Sequence, residues 1–170
     1  MKYNPRFHHR RSMRLRGYNY AKAGSYFVTA VCKNRQPIFG EIQSGKMILS
    51  EFGQIAFDNW YQTPLIRPNV ELGEFVVMPD HIHGIINIKE NRGLQKLPAN
   101  PVFKSPSQTL GAILRGFMAS VTSKINSKRN SHGEKVWQRN YNDKVIRNKW
   151  SYFMISKYIR HNPKKWKGNL

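Results

Sequence analysis

The chain has 170 residues, 39% of them hydrophobic, which is enough for one domain with a substantial core. A net charge of +20, from 29 Lys and Arg against 9 Asp and Glu, indicates a nucleic-acid partner, because a polyanion relieves the self-repulsion of so basic a domain. The single cysteine excludes an internal disulfide, and we find neither a leader nor an apolar run of about 18 residues. We therefore expect a soluble cytoplasmic protein, associated with the nucleoid, that has no membrane partner.

The first predicted region is a basic N-terminal arm, residues 1–24, which is rich in arginine and aromatic residues and shows little periodicity. A core follows, residues 25–150, in which five segments have the β-branched and aromatic composition of strands. These strands are Tyr26–Cys32, Ile38–Ile42, Lys46–Leu49, Val70–Met78 and His81–Ile88. Between the third and the fourth, Ser50 is predicted to cap a helix that stops at Pro64.

The second half of the core is predicted to be mainly helical. Residues 89–106 contain three prolines and form a basic loop, after which Ser107 opens an amphipathic helix. Three further segments complete the prediction: a short extended piece at 136–137, a helix over 141–148, and a C-terminal region, 151–170, in which a helix over 151–161 ends before Pro163 and a basic tail follows.

This order of elements predicts an α+β protein whose antiparallel sheet is covered by helices on one face, leaving the other face to carry a site. The charge distribution points to the same part of the chain. Residues 1–40, 91–133 and 144–170 contain no acid, whereas seven of the nine acids lie between Glu41 and Glu90. That acidic section suits a cation site surrounded by a surface that binds phosphates.

The acidic section contains two histidines, His81 and His83, separated by one isoleucine. Because strand side chains alternate, both imidazoles point to one face while Ile82 enters the core. Neutral imidazole is the commonest metal ligand in proteins, so the pair is a candidate metal site. The spacing alone also fits surface histidines or histidines that are simply hydrogen bonded.

A basic protein with a metal pair needs a nucleophile to act on nucleic acid, and Tyr141 is a candidate at the predicted start of the 141–148 helix. A phenol has a pKa near 10, so it is both an adequate nucleophile toward phosphorus and a good leaving group. The alternative is a tyrosine that only packs its ring and hydrogen bonds its hydroxyl.

Five segments in this order resemble the REP-associated tyrosine transposases, a branch of the single-tyrosine HUH transposases, where HUH denotes a histidine pair around a hydrophobic residue. The segments are Arg14–Tyr18, Gly24–Thr29, Glu74–Gly84, Leu110–Phe117 and Trp137–Tyr141. The resemblance spans nearly the whole chain. It implies a ferredoxin-like α+β core with extra C-terminal helices, in which strand-borne histidines bind Mg²⁺ or Mn²⁺.

The resemblance also implies an activity. A tyrosine on a helix attacks a phosphodiester of hairpin, REP-like single-stranded DNA and leaves a 5′-phosphotyrosine and a free 3′-hydroxyl, which a second 3′-hydroxyl can later resolve. Carried over to this chain, His81 and His83 are the metal ligands and Tyr141 is the nucleophile. The protein is then a monomer or a homodimer.

The chain departs from this pattern at one position. Family members commonly have a histidine three residues after the tyrosine, and this chain has Lys144, whose ammonium group is not a metal ligand at neutral pH. Another group then completes the site, or Lys144 contacts phosphate, or metal affinity is reduced. Asn87 and Asp143 are weak alternatives, and Asp80 contributes negative charge from the opposite strand face.

The candidate DNA contacts are the basic and aromatic residues within these motifs: Arg14, Arg16, Tyr18, Arg115, Arg139 and Lys144. For each arginine, a solvated surface charge is the alternative. Three functions therefore remain open: a transposase or endonuclease that cleaves and rejoins hairpin DNA, a domesticated hairpin-binding protein with weak catalysis, and a metal-dependent hydrolase of small substrates, which leaves the charge unexplained.

Overall fold

A computed structural model describes residue 20 and residues 22–90 and 109–166. Its main sheet has four antiparallel strands in the order β4-β5-β1-β6, and a separate hairpin pairs β2 with β3. The strands are β1 Gly24–Val31, β2 Gly40–Gln43, β3 Lys46–Leu49, β4 Val70–Met78, β5 His81–Ile88 and β6 Asn142–Ile146. The helices are α1 Glu51–Ile66, α2 Leu110–Lys128 and α3 Lys149–Lys165.

Without the β2–β3 hairpin, the main elements follow the βαββαβ order of a ferredoxin-like fold. The predicted α+β class with an antiparallel sheet is confirmed, and the first five predicted strands are all present. The predicted arm (1–24) and the loop (89–106) lie almost entirely outside the described residues, as do Ser107 and the end of the C-terminal tail.

The main hydrophobic core lies between one face of the sheet and helices α1 and α2. Trp60 of α1 packs against this face at Gly84, where an added Cβ would come within 2.3 Å of the indole. The same core contains Val28 of β1 and Phe117 of α2. It fixes which way β5 faces, because the even-numbered residues of that strand, including Ile82, enter it.

The second face of the sheet is covered by α3. Ile159 of α3 packs with Ile85 and Ile146 of the sheet in a smaller cluster, to which Phe27 and Ile155 add. The sequence predicted that the histidine-bearing face would be open. It lies instead partly beneath the last helix.

The predicted helix over 141–148 is wrong, because residues Asn142–Ile146 form β6 and pair with β1. Two successive residues explain the difference: Val145 packs against the main core and Ile146 against the α3 cluster. A segment buried in turn on opposite sides has the two-residue period of a strand within a covered sheet.

Two helices extend past the prolines that were predicted to end them. Ser50 caps α1 as expected, accepting a hydrogen bond from the Gly53 amide, but the helix includes Pro64. Helix α3 likewise includes Pro163. Each proline lies close to the C-terminal end of its helix, where the loss of one amide donor interrupts little. None of the helices in the described ranges has both the length and the apolar character of a membrane span.

Candidate active site

The candidate site begins with the two histidines of β5. His83 lies opposite Thr29 of β1, and His81 lies opposite Val31, so both imidazoles project from the face that α3 covers. Their Nε2 atoms are 3.1 Å apart, and both residues are buried. The pair therefore converges on one point, as the sequence predicted.

The other ring nitrogen of each histidine is held by a neighbour. The Asp80 carboxylate is fully buried and lies 2.5 Å from Nδ1 of His81, while its second oxygen accepts a hydrogen bond from Arg35 at 3.2 Å. The Thr29 hydroxyl lies 2.8 Å from Nδ1 of His83. An Nδ1–H that donates to such an oxygen leaves Nε2 with a lone pair, the arrangement in which a histidine binds metal.

The expectation that Asp80 lies on the opposite strand face is wrong. Asp80 belongs to the turn between β4 and β5, where the strand alternation does not apply, so its carboxylate can approach the ring of the next residue. Arg35, which was not identified from the sequence, donates to the Asp80 carboxylate. Its own backbone has a left-handed conformation, with φ 52°.

Burial lowers the pKa of His83 to about 3, with a contribution from the neighbouring His81. Burial also lowers the pKa of His81, against the opposing effect of Asp80. Both rings are therefore neutral near pH 7. With Nδ1 protonated in both neutral rings, a cation between the two Nε2 atoms would interact favourably with both lone pairs.

The geometry fits a divalent ion. The two Nε2 atoms are 3.1 Å apart, close enough for both imidazoles to bind one divalent ion. Within the described ranges, no group of three or more His, Cys, Asp or Glu residues could hold a metal together. The two histidines would therefore supply two positions and leave the others to water or substrate oxygens.

A tyrosine that the sequence analysis did not single out completes the site. The hydroxyl of Tyr158, on α3, lies 3.2 Å from Nε2 of His83. Its ring packs edge-on to Phe27 of β1 at 6.1 Å, and 46% of the residue remains exposed. Trp166, at the end of α3, lies over His81 with 5.7 Å between the ring centroids. The hydroxyl is thus held at the histidine pair by a helix that packs on the sheet through Ile159.

The structure contradicts Tyr141 as the partner of the histidines. Tyr141 is not on a helix but directly precedes β6, and its ring packs against the main core. Its neighbour Asn142 pairs with Thr29 and so shares the face of His83. Tyr141 consequently lies on the α1–α2 side of the sheet, which corresponds to the packing role weighed as its alternative.

The structure also shows where the residues considered as a third metal ligand lie relative to the histidines. Asp143 pairs with Val28 on the core face, away from the histidines. Asn87 lies four residues beyond His83 on β5, about 13 Å along the strand, and donates to the Tyr152 hydroxyl. Lys144 pairs with Phe27, so it lies on the histidine face, where it is exposed at the edge strand and available to phosphate rather than to metal.

The predicted DNA contacts fall in three places. Arg115 is exposed on α2, in the helix layer on the far side of the sheet, and Arg139 is exposed in the segment before β6. Arg14, Arg16 and Tyr18 lie outside the described residues.

One sequence signal could have revealed Tyr158. It falls within the last predicted helix, next to Ile159, an apolar residue that anchors this helix, so it lies close to the surface that the helix covers.

Comparison with known protein families finds no matching family profile. A protein of Haemophilus influenzae, described as an uncharacterized protein, is 44% identical over 171 residues, which cover 97% of this chain and 94% of that protein. The solved structure of a REP-associated tyrosine transposase bound to a REP hairpin superposes with a TM-score of 0.62 at 21% identity, over 89% of this chain and 73% of that one.

A candidate transposase of Deinococcus radiodurans is a more distant structural match, with a TM-score of 0.44, 17% identity, and coverage of 86% of this chain and 95% of the other. The sequence match establishes kinship, and the hairpin-bound structure establishes the architecture. The chain thus belongs to one family with the Haemophilus influenzae protein and has the fold of the REP-associated tyrosine transposases.

Proposed function

We propose that this chain is a single-strand DNA transposase or endonuclease that cleaves and rejoins hairpin DNA, with Tyr158 as the nucleophile. The observation that carries the proposal is the position of the Tyr158 hydroxyl, 3.2 Å from a histidine Nε2 that itself lies 3.1 Å from a second one. The match to a transposase fold in complex with a REP hairpin supports the substrate class.

In this reaction the phenolic oxygen of Tyr158 forms a bond to phosphorus while the bond from phosphorus to the 3′-oxygen breaks. The phenolic proton passes to solvent, and the departing 3′-oxygen takes up a proton from solvent and ends as a hydroxyl. The product is a 5′-phosphotyrosine that preserves the energy of the phosphodiester, so a second 3′-hydroxyl can reverse the chemistry.

His81 and His83 are the residues that would hold Mg²⁺ or Mn²⁺, with Asp80 and Thr29 orienting their rings. When bound, the ion supplies Lewis-acid polarisation of the scissile phosphate and fixes its orientation. Lys144, exposed on the same face, provides positive charge for the DNA backbone.

The proposal is tested by incubating a labelled hairpin oligonucleotide with the protein and Mn²⁺ and resolving the products on a denaturing protein gel. A covalent adduct is expected for the native chain and is expected to vanish in Tyr158→Phe. Tyr141→Phe is the matched control, because it removes a hydroxyl on the other side of the sheet, and it should keep the adduct. An adduct that survives Tyr158→Phe would overturn the assignment.

A second candidate function, a hairpin-binding protein with weak or no catalysis, is favoured by one observation: the described residues provide only two clustered metal ligands. The same gel distinguishes the two functions when it is combined with a binding assay. Tight hairpin binding with no adduct at any Mg²⁺ or Mn²⁺ concentration supports the binding protein, and indifference to hairpin DNA even at low salt rejects both.

A further inference from the structure

A groove of about 870 Å³ runs along α3 at some distance from the histidines. Its floor is β4 at the irregularity between Leu72 and Phe75, where the pairing register with β5 shifts. Its walls are α3 on one side and Tyr61, near the end of α1, on the other. A volume of this order accommodates a small ligand or one or two nucleotides.

Two aromatic rings at this groove are exposed to an unusual extent. Tyr61 is 51% exposed and Phe153 is 52% exposed, although each contacts another ring. Tyr61 lies against Phe57 at 4.8 Å, and Phe153 lies near Trp150 at 6.1 Å. Rings that contact a neighbouring ring and remain half exposed are suited to stacking with a flat ligand.

The charged residues of the groove favour an anionic ligand. Arg147, Lys149 and Arg160 line it, and among the described residues of the lining the only acid is Glu74, whose carboxylate lies 3.3 Å from Arg160. Helix α3 itself contains no acidic residue from end to end. A second copy of a chain with net charge +20 would be repelled from this surface, whereas a polyanion would be attracted.

One polar group points to the same conclusion. Ser156 lines the groove, is 4% exposed, and its hydroxyl has no hydrogen-bond partner among the described residues. A buried hydroxyl normally has a partner, and a ligand in the groove can supply one.

We propose that this groove, which we call the aromatic groove, binds unpaired nucleotides of the DNA substrate next to the site of cleavage. Tyr61 and Phe153 stack on the bases, while Arg147, Lys149 and Arg160 contact the phosphates. The inference rests on the proposed DNA-cleaving function, since it names the part of the substrate that α3 holds. Tyr152, at the groove, is six residues before Tyr158, about 9 Å along the helix, so a strand in the groove runs close to the nucleophile.

The test measures binding in a Tyr158→Phe background, which stops the chemistry, by fluorescence anisotropy. Two probes are compared: a DNA hairpin with a single-stranded tail of four nucleotides, and the same hairpin without the tail. Tyr61→Ala and Phe153→Ala are each expected to weaken binding of the tailed hairpin about tenfold and to leave binding of the blunt hairpin unchanged. Leu65→Ala is the matched control, because this residue lies on the same helix as Tyr61, is 83% exposed and lies outside the groove.

Tyr61→Leu keeps apolar bulk against Phe57 while it removes the aromatic face, so it guards against a trivial loss of folding. The proposal is overturned if neither aromatic substitution changes the affinity for the tailed hairpin. It is also overturned if the affinities for the tailed and the blunt hairpin fall equally. A tail of RNA that binds more tightly than the DNA tail would overturn it in favour of an RNA ligand. A halving of the solution mass in Phe153→Ala, measured by sedimentation without DNA, would overturn it in favour of self-association.

The outcome is separable from the test of catalysis. Tail-dependent affinity that requires Tyr61 and Phe153, in a chain that forms no covalent adduct, would leave the groove assigned and the transposase activity rejected. A covalent adduct that depends on Tyr158, with affinity indifferent to both rings, would leave the activity assigned and reject the groove.

Discussion

At the scale of single residues, the site depends on neighbouring side chains that orient the two histidine rings toward one point. Asp80 and Thr29 each engage an Nδ1 atom, so that both Nε2 atoms converge. The histidine pair was identifiable from its spacing, but the roles of Asp80 and Arg35 were not. Those roles depend on a turn and on a left-handed loop residue, which no strand pattern describes.

Asp80→Asn is expected to lower the affinity for Mn²⁺ by about tenfold or more. The amide can still accept from Nδ1 of His81 but no longer offers the negative charge that raises the ring's basicity. Calorimetric titration of Mn²⁺ measures the change without reference to activity. Asp143→Asn, on the core face, is the control, and equal affinities in the two variants would refute a positioning role for Asp80.

The lowered pKa values of the histidines predict that the metal-free protein loses stability in mild acid. His83 has a pKa of about 3 in the folded chain against an ordinary 6.5, so the unfolded state binds more protons between these values and stability falls as the pH decreases through them. One such proton contributes a slope of up to about 1.4 kcal/mol per pH unit.

Urea unfolding in EDTA at several pH values between 7 and 5 measures this slope. The substitution His83→Gln should flatten it relative to the native chain. An identical pH dependence in the two proteins would show that His83 is not protonated on unfolding, contrary to this expectation.

At the scale of secondary-structure elements, the sequence predicted most of the sheet, because β1 to β5 carry the composition of strands within their own residues. It failed at β6, which is short, polar and alternately exposed, and which becomes a strand only by pairing with β1. The same error put Tyr141 on a predicted helix. Tyr141 instead packs against the main core, whereas long-range packing of α3 brings the Tyr158 hydroxyl to the histidines.

The contact between β5 and α1 gives a prediction at this scale. Gly84→Ala is expected to destabilise the fold by about 1–3 kcal/mol, because the added methyl group meets the Trp60 indole and the tightly packed core must shift. Gly116→Ala, on α2, is expected to stabilise it by about 0.5–1 kcal/mol, since the nearest atom is 3.7 Å away and alanine favours helix. Equilibrium urea unfolding measures both, and equal stabilities would contradict the packing described at Gly84.

At the scale of the whole molecule, the acids and bases are segregated in a way that suits the proposed substrate. Asp80, a fully buried acid, lies at the histidines, whereas the last 27 residues contain eight bases and no acid. The candidate cation site thus has a buried negative charge beside it and basic residues, which attract phosphates, around it. The C-terminal basic region was visible in the sequence, but the position of α3 across the histidine face was not.

Hairpin DNA binding is expected to weaken steeply with salt, by about 1,000-fold or more between about 50 and 200 mM, if six or more phosphates are contacted. Lys144→Gln should reduce the slope of log K against log salt by about one unit, because this lysine lies on the histidine face. Lys124→Gln, exposed on α2 across the sheet, is the control and should leave the slope unchanged. Anisotropy titrations at four salt concentrations measure these slopes, and a salt-independent affinity would exclude a phosphate-dominated interface.

Helix α3, the last element that the structure describes, covers the histidine face and carries Tyr158. During synthesis on the ribosome, β1 and β5 therefore emerge well before Tyr158. Under the proposed function, an emerging chain can pair its histidine strand and bind an ion while still lacking any means to cut. Cleavage competence then arises in one late step, the docking of α3, which protects the genome from partly made enzyme.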